Sequence, residues 1–320
     1  MTTYATLSDG CAFILLPART HIELHGADRR QFLHNLCTND IKALQPGAGC
    51  EAFMTSVQGK TLGHILVFSG AERLSLDTVP DQGEPLIRHL ERYLITEDVQ
   101  ITDRSTEWSE LAVAGSKASD VLKQCGLDVP VAPLNHIDGL IDGHAVSVRR
   151  VDMITAPCFL LQTAGNDQVV LIEKLRGHGA TECNADVLET ARIEQGWPCF
   201  GVDITERNLP QEINRNERAI SFTKGCYLGQ ETVARIDALG HVNRLLVGLR
   251  FDGKEIPVPG TKLLDGEKEV GEVTSATLSP RLDAPLALAF VRHQHADVST
   301  ILQSDLGPAT VIALPINPTR

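Results

Sequence analysis

Lys224-Gly225-Cys226-Tyr227-Leu228-Gly229-Gln230-Glu231-Thr232-Val233-Ala234-Arg235 is the densest unusual stretch of the 320-residue chain. A thiol stands between two glycines, with a lysine two residues before it. If residues 224–226 are extended, Lys224 and Cys226 project from one face, and a nearby ammonium favours thiolate over thiol. Gly229 reads as a turn opening a helix, whose N-terminal dipole would act on the thiol in the same direction. That chemistry is a reactive or ligand-facing cysteine. The competing reading is a small buried hydrophobe, the fate of most free cysteines.

A second constellation is Arg192-Ile193-Glu194-Gln195-Gly196-Trp197-Pro198. Gly196 followed by Pro198 predicts a helix C-terminus. Glu194 then sits in the last turn, where the dipole disfavours a negative charge by ~0.3–1 kcal/mol. A carboxylate so placed could accept two N–H bonds from a flat heterocycle with an amidine-like edge, such as a pterin, or simply face solvent. Between the two motifs, residues 207–244 hold Arg207, Arg215, Arg218, Lys224, Arg235 and Arg244 against Glu212, Glu217, Glu231 and Asp237. This net +2 window suits an anionic ligand tail or a solvated mixed-charge surface. His293-x-His295 and His21…His25 show no recognisable third ligand, so no metal site is expected.

The rest of the chain must position these groups. Net charge is −12, with 42% hydrophobic and 22% charged residues. That mixture excludes collagen, disorder and a disulfide-dense miniprotein, and argues against a generic nucleic-acid coat. Eight cysteines without a CxxC pair predict a reducing compartment. No signal-like leader and no apolar run near ~18 residues is visible, so a soluble, cytoplasmic protein without membrane contact is expected.

Apolar spacing predicts strands at Phe13–Leu16, His21–Leu24, Glu51–Val57, Thr61–Phe68, Arg73–Val79 and Val99–Thr102. Helices are predicted after Asp28 and along Leu86, Leu90 and Leu94. The rhythm returns with strands at Leu111–Ala114, His144–Val151 and Cys158–Gln162, and helices near Lys117–Cys125, Asn166–Gly177 and Asp186–Gln195. From Val242 onward, short apolar runs broken at Asp252-Gly253, Pro257, Pro259-Gly260, Asp265-Gly266 and Ser279-Pro280 predict an all-β barrel or sandwich. The expected class is α+β, with lobes at 1–105 and 106–237 that could exchange segments, and a barrel at 238–320. Residues 238–320 carry −1 and residues 1–237 carry −11, so the acidity belongs to the lobes.

The string KGCYLGQE at Lys224–Glu231, followed by Ala234-Arg235, resembles the signature of the YgfZ-type folate-binding proteins, within the superfamily of the glycine cleavage T-protein. Phe32-Leu33 with Thr38-Asn39-Asp40, Arg192-Ile193-Glu194 with Gly196, Leu209-Pro210-Gln211-Glu212 and Gly271–Ser275 with Ser279-Pro280 extend the resemblance over nearly the whole chain. It implies three domains in a ring around a central channel holding tetrahydrofolate or a one-carbon derivative. Glu194 and Arg192 would take the pterin side. Lys224, Gly225, Tyr227, Gln230 and Arg235 would contact the cofactor from the signature loop, and Cys226 with Lys224 would carry any catalysis. It further implies support of iron–sulfur cluster assembly or repair in client proteins, and through them tRNA modification, without direct nucleic-acid binding. Aminomethyltransferases carry an Asp-Asp pair where this chain has Gly63-His64, and no aspartate lies between 41 and 76. A classical aminomethyltransferase activity is therefore not expected. Two other readings stay open: a one-carbon transferase in which Asp203 or another acid replaces the pair, and a non-enzymatic scaffold with a relic channel.

Overall fold

The computed structural model describes residues 4–316. Its first part runs α1 (Ala5–Asp9), β1 (Ala12–Leu15), β2 (Thr20–His25), α2 (Arg29–His34), β3 (Gly49–Thr55), β4 (Thr61–Ser69), β5 (Arg73–Thr78), α3 (Gly83–Glu91) and β6 (Gln100–Asp103). There follow β7 (Trp108–Ala114), α4 (Ala118–Gln124), β8 (His136–Ile141), β9 (His144–Val151), β10 (Cys158–Ala164), α5 (Gln168–Gly177), β11 (Thr181–Glu182) and α6 (Ala185–Gln195). A connecting region holds α7 (Asn216–Ala219) and α8 (Gln230–Leu239). The last part is all strand: β12 (Arg244–Phe251), β13 (Lys262–Asp265), β14 (Lys268–Ser279), β15 (Ala284–Arg292), β16 (Ile301–Ser304) and β17 (Gly307–Ile312).

The first sheet has the order β3-β4-β5-β2-β6 and the second β11-β1-β7-β10-β9-β8, while β12–β17 close into a six-stranded barrel. The architecture is thus α+β with two sheet-and-helix lobes and a barrel. Sheet membership crosses the expected cut after residue 105. Pro17 ends β1, and β1 pairs antiparallel with β7 and parallel with β11 in the second sheet, while β2 pairs with β5 and β6 in the first.

Helices α2 and α3 cover one face of the first sheet through Phe32, Leu33, Leu86 and Leu90. Helices α4 and α5 cover the second through Val121, Leu122, Leu171 and Leu175. The two sheets share a further core, where Leu66 and Phe68 of β4 meet Ala112 and Leu160. Strand β4 is therefore apolar on both faces and reads as a near-continuous run rather than an alternation. Helix α6 docks on the barrel wall, with Ile193 against Leu246, Leu286, Leu288 and Phe290. No helix among the described residues is long and apolar enough to cross a membrane.

Candidate functional site

The signature loop lies against the first lobe. Lys224 is 8% exposed, and its Nζ donates to the carbonyls of His34 (2.5 Å), Cys37 (2.8 Å) and Asn39 (2.8 Å). These carbonyls follow the end of α2, where a cation complements both the orphan acceptors and the dipole. The ring of Tyr227, itself buried, stands 4.8 Å from that ammonium. Burial pushes the Lys224 pKa down and the Tyr227 pKa up. Leu228 N donates to Asn35 O (2.8 Å), and Thr55 Oγ1 donates to Leu228 O (2.6 Å). Gly229 has φ +81°, and a Cβ there would meet Ser56 O at 2.4 Å and Gly59 Cα at 2.8 Å. Only glycine lets the loop sit this close to the β3–β4 hairpin. Gln230 Oε1 accepts from Tyr227 N (3.3 Å), Gly225 is exposed, and Arg235 is exposed on α8.

Two expectations are corrected here. Lys224 turns inward and is faced by Cys37, Asp40 and Cys50, whereas Cys226 is exposed, so the ammonium does not attend that thiol. No strand forms over 224–229, where a bend at Lys224 and a turn at Leu228-Gly229 flank irregular backbone, and the two side chains end in different surroundings. Nor does the loop line the space between the lobes. Cys226 borders an outer groove of about 420 Å3 with Phe32, Asn35, Leu36, Tyr93 and Glu97.

Glu194 is also placed differently from the expectation of a free pterin ligand. Helix α6 ends at Gln195, with Gly196 in the left-handed conformation. The Glu194 carboxylate is 1% exposed. It accepts from Ser279 Oγ, Tyr4 OH and Arg281 N (3.4 Å), with Arg281 Nε 3.3 Å away. Its acceptors are spent on the barrel and on Tyr4, so it fastens domains together. The Arg281 cation offsets the dipole penalty that made Glu194 conspicuous. Arg192 donates to Glu189 (2.7 and 2.5 Å), Trp197 O (3.0 Å) and Asp203 Oδ2 (2.8 Å). Asp203 in turn accepts from Thr274 Oγ1 (2.5 Å), Ser275 Oγ (2.7 Å) and Cys199 N (2.9 Å). This acid is a clamp between α6 and the barrel, with no oxygen left for a substrate.

At Gly63-His64 the chain has built another fully engaged group. A Cβ on Gly63 would stand 3.0 Å from Leu86, so that position faces α3. His64 Nε2 lies 2.7 Å from Glu51 Oε1, and Glu51 takes a two-point contact from Arg215 through Nε and Nη2. The Arg215 guanidinium carbon lies 4.3 Å over the ring of Trp197, which is 5.4 Å from His64. Burial alone would push the Glu51 carboxyl up; Arg215 and then His64 more than reverse this and hold it at about 2.

An acid that the sequence reading passed over lies one residue beyond the aspartate-free stretch. Asp77, on β5 opposite His21 and Leu66, is 0% exposed. Its Oδ1 accepts from Arg19 Nε (2.9 Å), Arg149 Nη1 lies 3.6 Å from its Oδ2, and the protonated Glu110 carboxyl shares a side-chain hydrogen bond with it. Glu110 on β7 stands 3.0 Å from Arg19 Nε and 3.9 Å from Arg149 Nη1. Burial and the Asp77 charge push Glu110 up. Asp77 is held down despite its burial by Arg19, His21 and Arg149. Burial pushes His21 down to about 4, so it is neutral near pH 7. The available signal was the polar face Arg73, Ser75, Asp77 alternating with Leu74 and Leu76.

Where a channel was implied, the lobes enclose about 70 Å3, bordered by Arg19, His64, Asp77, Met153, Arg192 and Trp197. A larger cavity of about 530 Å3 lies between the α6 end, α7 and the barrel, bordered by Gln195, Gly196, Asn214, Arg215, Asn216 and Leu288. Only the second is within the ~300–1,000 Å3 of ordinary ligand sites.

Two lobes, a closed barrel and a polar interlobe site define a T-protein-like architecture. Residues 16–224 match the GCVT N-terminal domain and residues 244–316 the glycine cleavage T-protein C-terminal barrel domain. The chain belongs to the glycine cleavage T-protein family. It is 28% identical over 309 residues to an aminomethyltransferase of a Nostoc species, covering 91% of this chain and 81% of that protein. It is equally 28% identical to a chloroplastic protein of Arabidopsis thaliana whose name provisionally makes it a transferase. That match covers 87% of this chain but 64% of the plant protein's length. The solved aminomethyltransferase T of Bartonella henselae superposes with a TM-score of 0.91 at 20% identity, over 99% of this chain and 89% of that one. This last likeness speaks to fold.

Proposed function

We propose that this chain binds tetrahydrofolate or a one-carbon derivative as an auxiliary protein rather than as a classical aminomethyltransferase. On this reading it supports iron–sulfur cluster assembly or repair in client proteins and, through them, tRNA modification, with Cys226 as its working thiol. The observation that carries the reading is the placement of that thiol. Cys226 alone of the eight cysteines is exposed, on a loop that Lys224, Tyr227 and Gly229 hold rigidly against the first lobe. Burial pushes Cys37, Cys50 and Cys158 up, away from reactivity. The replacement of the Asp-Asp pair by Gly63-His64, with the Glu51 carboxylate beside His64 neutralised by Arg215, supports the negative half of the proposal. Cys226→Ala should retain tetrahydrofolate binding by calorimetry and lose support of a cluster-dependent tRNA thiolation in cells. Full support by that variant would remove the thiol from the function.

The second reading, a one-carbon transferase with an unknown donor, is favoured by a different observation. Asp203 is fully engaged, but Asp77, held ionised by Arg19 and Arg149, borders the interlobe cavity. Methylene-tetrahydrofolate formed from an amine donor by wild-type protein and not by Asp77→Asn would establish it. A scaffold with a relic site would show no saturable folate binding.

A further inference from the structure

The outer wall of the barrel is apolar where α6 covers it and changes character at one end. On β12 and β15, Leu246 lies opposite Phe290, and both pack against Ile193. Two residues further along each strand, on the same face, Arg244 lies directly opposite Arg292. Residues so paired hold their Cβ atoms roughly 4.5–5.5 Å apart, and like charges there are destabilising. The other arginines described in the barrel each meet a carboxylate. Arg244 Nε stands 3.3 Å from Glu212, Arg250 2.9 Å from Asp252 and Arg281 3.3 Å from Glu194. Arg292 has no such partner among the described residues. The barrel region as a whole carries −1, so this local cationic excess is not inherited from its composition.

The two arginines border a cavity of about 570 Å3 that His241, Asn243 and His293 also line. Its lining comes from residues 241–244 and 292–294 alone and includes no carboxylate, so neither lobe takes part. The rim is already assembled. His293 N donates to Asn243 O (2.9 Å), which ties the turn after β15 to the segment before β12. The rings of His241 and His293 meet edge to face, 5.6 Å apart at 67°. His241 Nδ1 lies 3.2 Å from Leu239 O and, since a carbonyl only accepts, donates to it. That bond covers an orphan carbonyl at the end of α8, whose dipole would otherwise repel an anion. The Arg244 guanidinium lies 4.9 Å over the Phe290 ring, which fixes it at the cavity wall. A metal ion on the two histidines fails on charge, with two guanidinium groups and no acid beside it.

We propose that this end of the barrel binds a small organic diphosphate, with Arg244 and Arg292 each taking one phosphoryl group and the Asn243 amide and His293 imidazole donating from the rim. A planar guanidinium offers parallel N–H groups that match phosphate oxygens two at a time. Two such forks, side by side on neighbouring strands, match two linked phosphoryl groups, and the bound anion turns their mutual repulsion into shared attraction. The cavity is within the ~300–1,000 Å3 of ordinary ligand sites and leaves room for the organic part. The site is separate from the signature loop and from the lobe interface, and the inference does not depend on the folate reading.

Inorganic pyrophosphate is the probe, titrated by calorimetry into the full chain at about 0.15 M ionic strength, where diffuse surface attraction is largely screened. Inorganic phosphate and a short single-stranded RNA are titrated beside it. The expected result is one pyrophosphate per chain, with phosphate at least about tenfold weaker because it can engage only one fork fully. Arg292→Ala should weaken pyrophosphate at least about tenfold, and Arg292→Lys should recover only part of the loss, since a point charge lacks the fork. Arg250→Ala removes the same charge from elsewhere on β12 and should leave binding unchanged. Without pyrophosphate, Arg292→Ala should melt no lower than the wild type, because it removes one of two facing like charges. No saturable pyrophosphate binding, phosphate at equal affinity, or equal weakening by Arg250→Ala overturns the inference. So does a clearly lowered Tm of Arg292→Ala, which would give that arginine a structural partner. RNA binding more tightly than pyrophosphate, and lost in Arg292→Ala, replaces the small-molecule site by a nucleic-acid surface.

Discussion

Two buried charge groups lie within the same lobe interface, and they are built on opposite terms. Around Glu51, each carboxylate oxygen meets Arg215, one also meets His64, and Trp197 covers the guanidinium. Around Asp77 opposite charges also face one another, with Asp77 held ionised by Arg19 and Arg149 beside a Glu110 carboxyl that burial keeps protonated to higher pH, yet many of the polar atoms have no hydrogen bond. Charge pairing and hydrogen-bond satisfaction are therefore separable. A group with both is a fastener, since its low-dielectric surroundings strengthen bonds that are all made. A group with the first and not the second keeps its site electrically tolerable while leaving donors and acceptors for something that arrives later.

The comparison can be broken most forcefully at Arg215. Arg215→Ala leaves Glu51 buried and unpaired and should cost about 3–5 kcal/mol in urea unfolding. Asp77→Asn, which keeps the volume and an acceptor for Arg19, should cost clearly less; equal losses would erase the distinction. Lys224→Met strands three carbonyls at the end of α2 and should cost about 3 kcal/mol by the same measurement.

The pH dependence sharpens the contrast, because the two groups carry opposite signs. Glu110 has its folded pKa raised from 4.5 to about 8. The unfolded chain therefore releases its proton first, and stability falls as pH rises across that window. Glu51 has its folded pKa lowered to about 2. Its contribution is present above 4.5 and is lost as pH falls toward 2. Glu110→Gln should flatten the upper slope in a stability–pH profile and leave the acid limb intact. The smallest effect belongs to Cys226→Ala, within about 0.5 kcal/mol in unfolding. In the wild type, Cys226 should be the first of the eight cysteines alkylated, as read by mass mapping.

Much of the framework was legible in the sequence, because local signals and the fold agree. The β3–β4 hairpin, the helix end at Gly196, the turn at Gly229 and the barrel all announce themselves by spacing and glycine. The site was less legible because its roles are decided by partners far along the chain. Glu194 looked unpaired only because Ser279 and Arg281, more than eighty residues away, were not visible as neighbours. Lys224 looked like a companion to Cys226, whereas its ammonium is claimed by carbonyls at 34–39. Asp77 carries no local mark of a site residue, because the strand that presents it adjoins the β3–β4 hairpin and is tied to it only by the sheet.

The early placement of β1 has a consequence for synthesis. Residues 12–15 leave the ribosome well before their hydrogen-bond partners, residues 111–114 and 181–182. At about 5–20 residues per second, those four residues wait several seconds for the first partner strand and longer for the second. During that wait an apolar segment, Ala-Phe-Ile-Leu, has no sheet to join. Strand β1 is therefore a late arrival in its own fold, and deleting it would leave a gap in the second sheet while the first retained all five of its strands.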